Sequence, residues 1–165
     1  MPLFHATTSI LELNQPKTAP IRTLTRIQAR IDREFDQLKP AAAISRSGAL
    51  FAGDDPVFCA AYLVSERGTA ETPINVYRVQ MVNPSLHHPM YLVSYARHFL
   101  EKLEVLTNII SEYWMPTQSW KCWEYLAASM TPVAMEPTPD GQTKHGVVAQ
   151  YSHDATLALK LWPKP

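Results

Sequence analysis

The sequence predicts an α+β fold in a single domain, residues 1–165, with helices inserted among short strands. Three observations lead there. Segments with apolar residues at steps of three and four alternate with short, β-branched alternating segments. Most of the fourteen prolines fall between these segments, which implies stiff connections. With 165 residues, 46% hydrophobic and 18% charged, the chain can bury one sizeable core without metals or disulfides.

Each element follows from its own pattern. Leu3 to Thr8 reads as a strand running into a turn, residues 9–12 as a brief helical turn, and Pro16 and Pro20 as marks of a loop. Over residues 21–38, Leu24, Ile27, Ile31, Phe35 and Leu38 line one helical face, with Arg22, Arg26, Arg30 and Arg33 on another, and Pro40 closes the helix. Residues 45–52 are a small-residue strand approach. Gly53-Asp54-Asp55-Pro56 is a turn opening a helix over residues 57–64, with an Asp near the N-cap. Residues 76–82 alternate and are β-branched, the clearest strand in the chain. The longest predicted helix covers residues 91–114, where Leu92, Ala96, Phe99, Leu103, Leu106, Ile110 and Tyr113 form one stripe ended by Pro116. Residues 120–130 suit either helix or strand. A short strand at Val133-Ala134-Met135, a turn at residues 137–141 and strand candidates at 145–151 and 156–162 complete the pattern.

Composition narrows the function classes. Fifteen basic and fifteen acidic residues give no net charge, which argues against coating nucleic acid by bulk charge. Cys59 and Cys122 lie in apolar stretches without metal-ligand spacing and read as buried thiols, so neither a zinc site nor a disulfide scaffold is expected. No apolar run approaches the roughly 20 residues of a membrane span, and the start lacks the pattern of a signal peptide. The expected location is the cytoplasm, or a target-cell cytosol reached without a cleavable signal. Walker A, GxGxxG, GxSxG and HExxH patterns are absent.

Three patches carry chemical interest: His5 in the first strand, the small-residue strand and helix ending at Tyr62, and Trp123-Glu124-Tyr125-Leu126. Taken singly, His5 reads as a structural histidine and Tyr62 as a core residue with its hydroxyl at the surface. Glu124, set between aromatic side chains, is costly to bury without a partner or a purpose. The arginine stripe reads as a solvated face because acids interleave with it. His87-His88 is a weak metal signal, and Tyr113, Trp114, Trp120 and Trp123 read as core, with a recognition surface as the lesser reading.

In order along the chain, Phe4-His5-Ala6-Thr7, Gly48-Ala49-Leu50-Phe51-Ala52 followed by Cys59-Ala60-Ala61-Tyr62, and Glu124-Tyr125-Leu126 resemble the ADP-ribosyltransferase superfamily. The similarity is to its His-Tyr-Glu branch, that of the poly(ADP-ribose) polymerases and diphtheria-type toxins. The resemblance implies a split antiparallel β core and an NAD-dependent mono-ADP-ribosyltransferase, such as a toxin or effector. Its substrate NAD would meet His5, Ala6, Thr7, Arg46, Phe51 and Tyr62, with Glu124, His5 and Tyr62 as the catalytic set. The acceptor would be an unidentified protein or nucleic acid, without metal or membrane. In this reading Glu124 orients a ribose hydroxyl and stabilises an oxocarbenium-like state, Tyr62 stacks on nicotinamide, and Arg46, or one of the stripe arginines, meets the pyrophosphate. Ala6 stands where the family has Gly, Leu50 where an aromatic is common and Cys59 where a Ser is frequent. These departures support the alternative, a catalytically inactive NAD- or protein-binding module on the same fold. RNA 2′-phosphate transfer to NAD is a third reading, and it lacks the expected basic cleft.

Overall fold

The computed structural model describes residues 1–19, 25–67, 73–117, 119–138 and 146, with the backbone alone at 64–67. Within them the fold is α+β, as the sequence predicts. Strands β1 (Leu3–Thr7), β2 (Lys17–Thr18), β3 (Leu50–Gly53), β4 (Asn75–Met81), β5 (His88–Pro89), β6 (Trp123–Ala127) and β7 (Ser129–Glu136) form one antiparallel sheet in the order β2-β7-β4-β1-β3-β6-β5. Helices α1 (Arg26–Gln37), α2 (Pro56–Arg67), α3 (Met90–Ala96) and α4 (Leu103–Trp114) pack on one face.

The sheet has a weak joint. β1 is registered with β4 over five residue pairs but meets β3 at Phe4↔Gly53 alone. Two half-sheets, β2-β7-β4-β1 and β3-β6-β5, therefore share one registered pair. At that joint Gly53 is required by space: a Cβ there would lie 2.6 Å from Cys59 Sγ and 2.7 Å from Met90 Cε.

Each face has its own core. On the helix side, Phe4, Val76 and Leu126 of the strands meet Ile31 and Phe35 of α1, Leu92 of α3 and Ile110 and Tyr113 of α4. The other face gathers Leu50, Ala52, Tyr77, Val79 and Met130, with Leu3, Leu11 and Met81 at its edge. The segment between β1 and β2 crosses this second face and is fastened to it. Leu11 N–H donates to Tyr77 Oη (3.1 Å) and Asn14 N–H to the Pro132 carbonyl (2.7 Å).

Several elements differ from expectation for identifiable reasons. Helix α1 begins at Arg26 rather than near residue 21, because Thr25 and Gln28 form a reciprocal capping box. Its buried face is Ile31, Asp32 and Phe35, while Ile27 and Leu38 are exposed. Residues 9–12 form no helical turn; the bend comes at Asn14, whose φ is 61°. Helix α2 extends beyond 57–64 at both ends, and Asp55 Oδ1 caps it by accepting from the Val57 and Phe58 N–H groups. The predicted helix over 91–114 is broken. Helix α3 is followed by a 3-10 turn, Arg97–Phe99, and α4 starts anew after Lys102. A straight helix of that length would run about 36 Å. The break lets α3 bury nearly its whole circumference while α4 buries one stripe.

Residues 120–130 resolve as strand, and residues 133–135 belong to the longer β7. Pro132 fits inside β7 at a bulge: Arg78 pairs with Ala134 and Val79 with Pro132, leaving Val133 as the extra residue. The strand candidates at 145–151 and 156–162, and the turn beyond residue 138, lie outside the described residues apart from Gly146.

Gly53→Ala should lower stability by about 1–3 kcal/mol, the usual cost of overpacking a filled site. Thermal unfolding of the variant beside the parent measures it.

Candidate functional site

Glu124 sits where β6 pairs with both neighbours, opposite Gly53 of β3 and His88 of β5. Alternation along β6 turns its side chain, like that of Leu126, towards the helix-side core. The carboxylate is 2% exposed. It is charge-matched there: the Arg46 guanidinium donates to Glu124 Oε1 and to Tyr113 Oη, and the Tyr113 hydroxyl donates to the same carboxylate oxygen at 2.5 Å. Arg46 Nε also donates to Asp32 Oδ1 at 3.2 Å.

Arg46 reaches this position from a short 3-10 turn, Arg46–Gly48, just before β3. Aromatic rings line its path, with the guanidinium carbon 4.8 Å from the centre of Phe51, 5.0 Å from Tyr113 and 5.5 Å from Phe35. Burial opposes the Arg46 charge, and Glu124, Tyr113 and Asp32 outweigh it, so the group stays protonated well above its ordinary range. The Tyr113 phenol is pushed up by burial and by the neighbouring Glu124 charge. The result is a buried cluster of two carboxylates, a guanidinium and a phenol, built from α1, the 46–48 turn, α4 and β6.

The other sequence-predicted residues fall around this cluster in different ways. Tyr62, half-buried on α2, packs against the same core and adds to the field that holds the Arg46 charge. Phe51 is the ring under Arg46. His5 faces the other way. It pairs with Tyr77, whose side chain belongs to the second core, whereas its neighbour Phe4 shares the face of Gly53 and Glu124. The His5 ring lies against the joint between the half-sheets, and its Nδ1 contacts the Phe51 carbonyl at 2.7 Å. Burial lowers its pKa, and the bond to Phe51 offsets part of that. Ala6 and Thr7 continue β1 beyond its pairing with β3, and Thr7 Oγ1 accepts from the Ser9 N–H at 3.1 Å. The structure thus unites Glu124, Arg46, Phe51 and Tyr62 around one core, while His5 reaches the joint from the opposite face.

Three participants were missed in the sequence: Tyr113, Asp32 and Asp36. Tyr113 was hidden as one more member of the α4 stripe. Asp32 leaves a trace, a carboxylate directly after the core residue Ile31. Asp36 accepts the Ser45 hydroxyl (2.5 Å), the Arg46 N–H (2.6 Å), the Ser47 N–H (3.2 Å) and the Ser47 hydroxyl (2.7 Å), and so holds the 46–48 turn against α1.

The two adjacent histidines divide. His87 is exposed and packs edge-on to Trp123 at 4.3 Å. His88 is 3% exposed and stacks on Tyr113 at 4.8 Å. Its Nδ1 donates to the Tyr113 carbonyl (3.0 Å) and its Nε2 faces Ser85 Oγ (3.1 Å). Tyr113, Trp114 and Trp120 are core; Trp114 Nε1 donates to the Phe35 carbonyl and Trp120 Nε1 to Glu112. Both cysteines are buried, and burial raises the Cys59 thiol pKa. Among the described residues no group of three or more His, Cys, Asp and Glu has the arrangement of a metal site, and no helix is long and apolar enough to cross a membrane. No family model, curated protein or solved structure matches the chain.

Two outcomes follow. Removing Arg46 strands two buried carboxylates, Glu124 and Asp32, so Arg46→Met should cost about 3–5 kcal/mol; Glu124→Gln should cost less, because Asp32 still pairs with Arg46, and the double variant less than their sum. Urea unfolding of the four proteins closes this cycle. Burial lowers the His88 pKa to about 4 from an ordinary 6.5. The unfolded chain therefore binds the extra proton first. The stability His88 contributes is complete above about pH 6.5 and is lost as pH falls towards 4, a change of about 3 kcal/mol. His88→Asn should flatten the dependence of Tm on pH across that window.

Proposed function

We propose that this chain is an ADP-ribosyltransferase-like domain that uses NAD, with Glu124 as the carboxylate at the transfer centre and Arg46 as its charged companion. The observation that carries this reading is the sheet order β1-β3-β6 with its single-pair joint. The sequence patches that resemble the family lie on the neighbouring strands β1, β3 and β6 and on α2, which supports the reading. Two charged candidates named from sequence, Arg46 and Glu124, are also in direct contact.

The chemistry assigned to the site is simple in outline. The bond between nicotinamide and ribose breaks, and its electron pair leaves with the nicotinamide. A nucleophilic atom of the acceptor bonds to ribose C1′ and releases its proton. A carboxylate beside the ribose stabilises the positive charge that develops between these events. His5 and the backbone of Ala6 and Thr7 border the joint where the nicotinamide end would be held. Arg46 suits the pyrophosphate because a guanidinium fork matches phosphate oxygens. The acceptor would be a protein, a nucleic acid or, in the simplest assay, water.

A second reading, a catalytically inactive NAD- or protein-binding module, is favoured by a specific observation. Glu124 is closed off by Arg46 and Tyr113, and His5 approaches from the opposite face. Release of nicotinamide from NAD by the purified chain separates the two. The transferase should release it, and Glu124→Gln should reduce the rate about 10²–10³-fold with the fold retained. Saturable thermal stabilisation by NAD without release supports the module. Neither turnover nor stabilisation removes NAD from both readings.

A further inference from the structure

The side of β6 that points away from Glu124 carries a second cluster, which the transfer chemistry does not use. Alternation along the strand turns Trp123 and Tyr125 to that side, and His87, one residue before β5, joins them. All three rings are at least partly exposed. The His87 ring stands 4.3 Å from that of Trp123 at 88° and 6.3 Å from that of Tyr125 at 49°, so the rings make an open corner. Asp54 borders that corner. Its backbone N–H donates to the Trp123 carbonyl (3.2 Å) and its Oδ1 accepts the Trp123 N–H (3.2 Å), which fixes the carboxylate beside the rings. The carboxylate is half-buried, and its charge reaches the His87 imidazole and the Tyr125 phenol. Burial raises the Asp54 pKa, and the Asp55 charge pushes it the same way. Among the described residues no Lys or Arg forms an ion pair with it.

We propose that this corner receives an arginine side chain from an exposed peptide segment of a partner protein, with the guanidinium flat on an aromatic ring and its N–H fork on Asp54. Charge complementarity selects the occupant: aromatic faces beside a carboxylate without a basic partner attract a cation. A guanidinium fits an open corner better than an ammonium does. It is planar and weakly hydrated, so one ring face and one carboxylate satisfy it, whereas a compact ammonium gains most from rings closed around it. The same rings would stack on nucleobases, but Asp54 and Asp55 repel a phosphate backbone. Val82 and Leu86, 59% and 82% exposed on the loop that leads to His87, extend the apolar surface for residues flanking the arginine. The corner lies on the opposite side of β6 from Glu124, so it does not depend on the transferase reading.

The test is titration of the isotope-labelled chain with a capped glycine-arginine-glycine peptide, read by NMR at the Trp123 indole N–H, which Trp123→Phe identifies among the four tryptophans. The arginine peptide should shift that signal saturably. Its citrulline counterpart, which has the same shape without the charge, should not, and the lysine peptide should bind more weakly. Asp54→Asn keeps an oxygen for the Trp123 N–H and removes the charge, so it should weaken binding about two- to fivefold at unchanged Tm, the scale of an exposed ion pair or cation–π contact. Tyr125→Leu should weaken it to a similar extent. No shift with arginine, equal shifts with citrulline or lysine, or binding indifferent to both variants overturns the proposal. So does an oligothymidylate that shifts the same signal, or a shift that grows with protein concentration alone, which would make a second copy of the chain the occupant. Arginine binding without nicotinamide release overturns the transferase reading and leaves the corner standing; release without arginine binding does the reverse.

Discussion

A guanidinium and a carboxylate in contact inside an apolar core constrain the rest of this structure. Taking either charge out of water costs several kcal/mol unless the other is present in good geometry. Arg46 and Glu124 come from opposite halves of the chain, and Tyr113 and Asp32 come from two further elements. A compact arrangement that misplaces α1, the 46–48 turn, α4 or β6 leaves a buried charge exposed to that penalty. The cluster therefore selects among packings that hydrophobic burial alone would tolerate, and it does so at the centre of the proposed site.

The neighbouring aromatic shell extends this constraint outward. Phe35, Phe51 and Tyr113 surround the guanidinium, and Tyr113 in turn carries His88 stacked on its ring. Through Ser85 the histidine is joined to the β6 backbone, because the Leu126 N–H donates to Ser85 Oγ at 3.0 Å. A chain of contacts, polar except for the stacking of His88 on Tyr113, thus runs from the first helix to the outer strand, and each donor and acceptor described along it has a partner.

How much of this was legible in the sequence depended on range. Local signals were read well: alternation gave β4, and Asp55-Pro56 gave the start of α2. The α1 stripe gave the right helix, but its apolar residues at both ends, Ile27 and Leu38, proved exposed because Thr25 caps the helix late and the chain turns away after Gln37. The break between α3 and α4 was illegible, since no Pro or Gly marks residues 97–102 and the apolar spacing continues through them. At the site, Glu124 and Arg46 were each singled out, but as separate contributors to a bound dinucleotide. Their mutual pairing is a long-range event, 78 residues apart, that no local pattern encodes. The opposite-facing position of His5 is set by strand register with β4, which is equally invisible along the chain.

The order of strands also sets a timetable for biosynthesis. β7 lies between β2 and β4, so two strands from the amino-terminal half stay apart until residues near 136 have left the ribosome. During that interval β4 offers an open, apolar edge, the kind of surface that recruits unwanted strands. Among the described strands, β7 therefore closes late an edge that the earlier strands leave open.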